Sequence, residues 1–139
     1  METLTATTLA PLPDFNTVLA DAQLLSNYYA LYMNYFYGVP LPPDFPRSII
    51  QQFPNKSYKL QLKTAIANQT NVVNGYLAIQ NEYLKDYHVL YTHYANGAAL
   101  PPDFPESILK QFPSSNYKQQ LKGAIATLQN QVNQEKAAM

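Results

Sequence analysis

Apolar residues recur along much of this chain at three- and four-residue spacing. From Thr17 to Tyr37 they fall at Leu24, Leu25, Tyr28, Leu31, Tyr32 and Tyr35, the period of a helix with one buried face. Gly38 comes next, suited to the left-handed position that ends a helix, and prolines come after it. A second, longer stripe runs from Ser57 to Asn96 through Leu62, Ile66, Val73, Tyr76, Leu77, Tyr83, Tyr87, Leu90, Tyr91 and Tyr94. As one helix it would measure ~60 Å at 1.5 Å per residue. A compact domain of this size has a radius of gyration of only about 14 Å. Asn74-Gly75 sits in the middle of the stripe, in a stretch of weak helix formers. The pattern therefore predicts a break there and four helices over 17–37, 57–73, 76–96 and 116–136, packed as a four-helix bundle. A helix continuous through Asn74-Gly75, and with it an elongated helical subunit, is the alternative. Either way the fold class is all-α.

The stripes belong to a tandem duplication. Tyr28 recurs as Tyr87, an offset of 59, and Tyr28–Gln80 matches Tyr87–Met139 without a gap. LPPDFP at Leu41–Pro46 returns at Leu100–Pro105, SIIQQFP at Ser48–Pro54 as SILKQFP at Ser107–Pro113, and YKLQLKTAIA at Tyr58–Ala67 as YKQQLKGAIA at Tyr117–Ala126. Roughly half of the aligned positions are identical, which marks one supersecondary unit used twice. A fainter echo of the same elbow lies at Leu12–Phe15. The domain reading is an extended arm over 1–16 and one helical domain over 17–139, made of repeats at about 17–75 and 76–139.

Each LPPDFP segment is a rigid elbow, because every proline fixes its own φ and pushes the residue before it to extended geometry. Pro42, Pro43, Asp44 and Phe45 form the first elbow, and Pro101, Pro102, Asp103 and Phe104 the second. Asp44 and Asp103 are N-cap candidates for a short helix that stops at Phe53-Pro54 or Phe112-Pro113. Glu106 stands at capping-box spacing from Asp103. Asn55 or Ser57, and Ser114 or Ser115, are candidates to cap the next helix. The Phe side chains are expected to plug the end of the bundle.

Composition narrows the function more than any motif does. Nine Lys and Arg balance nine Asp and Glu, and charged residues are 13% of the chain, against about 25% in a typical soluble domain. Neutrality favours association over repulsion and argues against long-range attraction to nucleic acid or membrane. There is no cysteine, so disulfides and thiol chemistry are excluded. Twelve tyrosines are more than a small core holds with satisfied hydroxyls. Tyr28, Tyr32 and Tyr35, with their counterparts Tyr87, Tyr91 and Tyr94, are therefore candidate interface residues as well as candidates for a bundle seam.

Lys59 and Lys63 repeat as Lys118 and Lys122 near two helix starts, a candidate polyanion contact if not simply a solvated face. Glu82, Asp86, His88 and His93 lack the Glu-x-x-His spacing of di-iron bundles, so no metal is expected. No nucleophile elbow, phosphate loop, zinc-protease or dinucleotide motif occurs, so neither enzyme activity nor a cofactor is expected. The first residues carry no basic-then-apolar leader and no stretch is long enough to span a membrane. The expectation is a cytoplasmic protein, or one held within a virion or other assembly. The leading expectation is a non-enzymatic structural protein that self-associates, as a coat, shell, filament or virion subunit does. A helical binding module with a Tyr-lined groove is the second reading, and a nucleic-acid-associated protein the third.

Overall fold

The computed structural model describes residues 9–139. It is all-α: 76% of the described residues are helical, with no strand among them. The elements are α1 (Phe15–Tyr37), α2 (Arg47–Gln52), a 3-10 turn (Lys56–Tyr58), α3 (Lys59–Asn96), α4 (Glu106–Gln111), a second 3-10 turn (Ser115–Tyr117) and α5 (Lys118–Ala138). The arm expected over 1–16 is non-helical from 9 to 14, its first eight residues lie outside the described ones, and α1 begins two residues earlier than expected. Asp14 caps α1, its Oδ2 accepting from the Thr17 N–H at 3.3 Å.

The break expected at Asn74-Gly75 does not occur. α3 is one helix of 38 residues, so the four separate helices at 17–37, 57–73, 76–96 and 116–136 become three long ones. An Asn-Gly turn of the hairpin kind needs positive φ, yet among the described residues the only positive-φ glycines are Gly38 and Gly97. The apolar stripe passes the junction in phase, with Val73 fully buried before it and Leu84, Tyr87 and Leu90 buried after it. Burial of that stripe outweighs the roughly 1 kcal/mol that Gly costs inside a helix. The same dipeptide recurs at Asn96-Gly97, and there α3 does stop. The residues downstream account for the difference. Tyr-Leu-Ala-Ile-Gln after Gly75 continues a helix, whereas Pro101 and Pro102, close behind Gly97, do not.

Asp44 and Asp103 are not N-caps, which corrects a second expectation. Pro46 and Pro105 hold the cap positions of α2 and α4 with φ −61° and no side-chain hydrogen bond, and Glu106 is the first residue of α4. A cap needs its side chain to reach the N–H two or three residues on. Asp44 and Asp103 fall too early for that, inside a turn closed by Phe45 N–H to Pro42 O (3.1 Å) and Phe104 N–H to Pro101 O (3.2 Å). The expected caps further along are present: Asn55 Oδ1 accepts from Ser57 N–H at 2.9 Å and Ser114 Oγ from Asn116 N–H at 3.3 Å.

The chain divides into two compact units whose boundary falls at Tyr76/Leu77, inside α3. One holds Asp14–Tyr76 and Gln134–Met139. The other holds Leu77–Asn133 and the described residues 9–13. In the first, Leu25, Tyr28, Leu31, Ile49, Phe53, Leu62 and Val73 are buried. In the second, Leu84, Tyr87, Leu90, Ile108, Phe112, Leu121 and Val132 are buried. These are the same seven positions displaced by 59, and every one carries the same amino acid. The duplication also relates Asp21 to Gln80 and Tyr76 to Glu135; Gln80 and Glu135 are fully buried and engaged.

A candidate association surface

The repeated tyrosines are built into the two units. Tyr28 meets Phe53 edge-on at 5.8 Å, and Tyr87 meets Phe112 in the same way at 5.8 Å. Both tyrosines are buried. The Tyr35 hydroxyl donates to the Phe53 carbonyl and the Tyr94 hydroxyl to the Phe112 carbonyl. Each bond ties a long helix to the end of the short one, satisfying a carbonyl that the following proline leaves without a helical partner. Burial raises both hydroxyls above the ordinary tyrosine value. Tyr32 and Tyr91 are half-buried, and Tyr32 stacks on Phe36 with ring centroids 4.2 Å apart. Tyr83 donates to the carbonyl of Ala10 at 2.8 Å, which fastens the arm to its unit. Burial first, then the nearby Asp21 carboxylate, raises Tyr76.

The exposed aromatic residues are different ones. Measured at 100° per residue, Val18, Ala22, Leu25, Tyr29, Met33 and Phe36 lie along one line of α1. Its first three members are buried, but Tyr29 is 46% exposed, Met33 40%, Phe36 38% and the adjoining Tyr37 69%. The apolar line therefore continues about two turns beyond the point where its cover ends. Lys59 Nζ lies over the Phe36 ring, 4.6 Å from its centroid, a cation–π contact. Gln69 Nε2 donates to Asp21 O at 2.9 Å. With Lys59 at Phe36, this makes α1 and the first half of α3 antiparallel. Lys63, exposed and one turn after Lys59, is then level with Tyr29 and Tyr32.

The duplication gives this surface an internal control. In the second repeat the equivalents of Tyr29, Met33, Phe36, Tyr37 and Val39 are His88, Thr92, Ala95, Asn96 and Ala98. There an open groove of ≈ 320 Å³ is lined by His88, Val89, Thr92, Ala98 and Ala99. Lys118, half-buried, has no ring to cover because Ala95 replaces Phe36, and Lys122 is exposed. His93 Nδ1 bonds to the Ala98 carbonyl where Asn34 Nδ2 bonds to the Val39 carbonyl, so this histidine takes over a turn-closing amide's task.

The elbows also differ. Pro42, Pro43 and Asp44 are exposed, as are Pro101, Pro102 and Asp103, but Phe104 is a core residue and Phe45 only half-buried. A cleft of ≈ 260 Å³ beside the second elbow is lined by Glu82, Lys85, Asp86, Val89, Pro101, Asp103, Phe104 and Pro105. Lys85 pairs with Glu82 at 3.8 Å in an exposed contact. Burial first, then the Glu82 charge, holds the Asp86 carboxyl above its ordinary range; Lys85 works against this and Asp103 with it.

No helix among the described residues is long and apolar enough to cross a membrane. Comparison with family models, with curated proteins and with solved structures gives no match for this chain. Sequence reasoning singles out the tyrosines that repeat. It misses the exposed stripe because the members of that stripe do not repeat, and position-by-position comparison of the two copies is the signal that finds it.

Proposed function

We propose that this protein is a non-enzymatic structural subunit that associates with copies of itself. One observation carries the reading: the apolar line of α1 extends into solvent at Tyr29, Met33, Phe36 and Tyr37, whereas the same fold in the second repeat uses His88, Thr92, Ala95 and Asn96 there. The fold does not need those side chains, since the second copy does without them. A concentrated apolar surface rimmed by charge is the usual mark of a protein contact, and aromatic residues are the side chains that most often carry its energy. Zero net charge removes the long-range repulsion that would oppose packing of many copies.

Size-exclusion chromatography with light scattering tests this. The mass rises with concentration for the natural chain. Phe36→Ala with Tyr37→Asn, the residues of the second repeat, holds it at one chain while the helical circular dichroism is unchanged. A natural chain that stays monomeric at high micromolar concentration refutes the proposal.

A further inference from the structure

The two repeats have diverged in opposite senses on their outer faces. Around the aromatic end of α1 the first repeat carries Lys59 over Phe36, with the exposed Lys63 one turn further along α3, level with Tyr29 and Tyr32. Around its elbow the second repeat carries Glu82, Asp86 and Asp103 over an apolar floor of Val89 and Phe104. At its own elbow the first repeat keeps one of these acids, Asp44 for Asp103, but Gln23 and Asn27 stand for Glu82 and Asp86, and Arg47 stands for Glu106. One surface is apolar with a cationic rim. The other is a cleft with an apolar floor and, Lys85 included, an excess of two acidic side chains among its lining.

We infer that copies of this chain associate head to tail, the aromatic face of α1 in one copy seating against the acid-rimmed cleft beside Phe104 in the next. The inference rests on the self-association proposed above and specifies which surfaces meet. Charge decides the pairing. Two α1 faces brought together would juxtapose the Lys59 and Lys63 of both copies, and two clefts would juxtapose Glu82 and Asp86; like charges across an interface are strongly disfavoured. The unlike combination places each lysine pair against carboxylates and covers Phe36 and Tyr37 at the same time. Because the two surfaces are not equivalent, a bound pair still offers one free surface of each kind. The contact is heterologous, and growth continues into a ring or a filament instead of stopping at two.

Complementary variants test it. Lys59→Glu with Lys63→Glu spoils the aromatic face, and Glu82→Lys with Asp86→Lys spoils the cleft. Alone, each associates at least about tenfold more weakly than the natural chain. Mixed, they regain association, since the natural face of one fits the natural cleft of the other and the two reversed surfaces again oppose unlike charges. Association of the natural chain weakens as salt rises.

If a charge reversal fails to fold, by circular dichroism, Glu82→Gln with Asp86→Asn replaces it; those are the first repeat's own residues and are expected to fold and to associate more weakly. A cleft variant that assembles as well as the natural chain overturns the head-to-tail pairing and leaves self-association standing. So does a mixture that associates no better than either variant alone. A natural chain that never assembles overturns both.

Discussion

The two repeats share a skeleton and part company at the surface. Leu25, Tyr28, Leu31, Ile49, Phe53, Leu62 and Val73 are buried in one, and the identical residues 59 positions on are buried in the other. The tyrosine hydroxyl that closes the short helix occurs in both. Outside, the aromatic stripe of the first gives way in the second to a histidine, a threonine and an open groove, and a neutral elbow gives way to an acidic one. A core position is held by packing with several neighbours at once, so most substitutions there cost stability. A surface position is free to acquire a task. Within a duplicated chain, the residues that agree report on folding and those that disagree report on use.

The largest effects should fall on the shared part. Leu31→Ala and Leu90→Ala remove side chains that are 1% and 0% exposed, and each is expected to lose roughly 2–5 kcal/mol in urea denaturation. Nearly equal losses support equivalent cores; a large inequality breaks the comparison. The glycines sharpen it next, with opposite signs. Gly75 is helical with open space around a would-be Cβ, so Gly75→Ala should add about 0.5–1 kcal/mol. Gly97 has φ +72°, and Gly97→Ala should cost about 1–2 kcal/mol. A destabilising Gly75→Ala would mean that the chain bends at Asn74 after all.

The smallest effect is at Asp86, whose carboxyl is held above its ordinary value. The folded chain therefore binds this proton more tightly than the unfolded one. Stability contributed by the group is greatest at low pH and falls as pH rises through the raised value. Asp86→Asn, the residue of the first repeat, should gain less than about 0.5 kcal/mol at neutral pH after solvent screening. The difference should vanish in acid, as thermal melts across pH would show.

Much of this is legible in the sequence. The period, the all-α class, the glycine stops at Gly38 and Gly97 and the caps at Asn55 and Ser114 all come from local rules. Asn74-Gly75 misleads because its dipeptide is a turn signal only where the backbone takes positive φ, and a buried stripe on both sides holds it helical. Asp44 and Asp103 mislead because a proline, not a carboxylate, starts each short helix. The twelve tyrosines point to assembly by number alone, yet of the six repeated ones Tyr28 and Tyr87 are buried and Tyr35 and Tyr94 bond to the short helices. Phe36 and Tyr37 emerge only when solvent exposure is laid over the repeat.

The unbroken α3 has a further consequence. A flexible loop between two copies would let one melt while its twin stayed intact. Here the backbone amides on both sides of Gly75 are links in one i to i−4 ladder, so neither copy can fray at the joint without removing bonds that also terminate in the other. The duplication thereby doubles the number of residues that must let go together. The expected consequence is a single, sharper melting transition and greater resistance to proteolytic nicking at the seam.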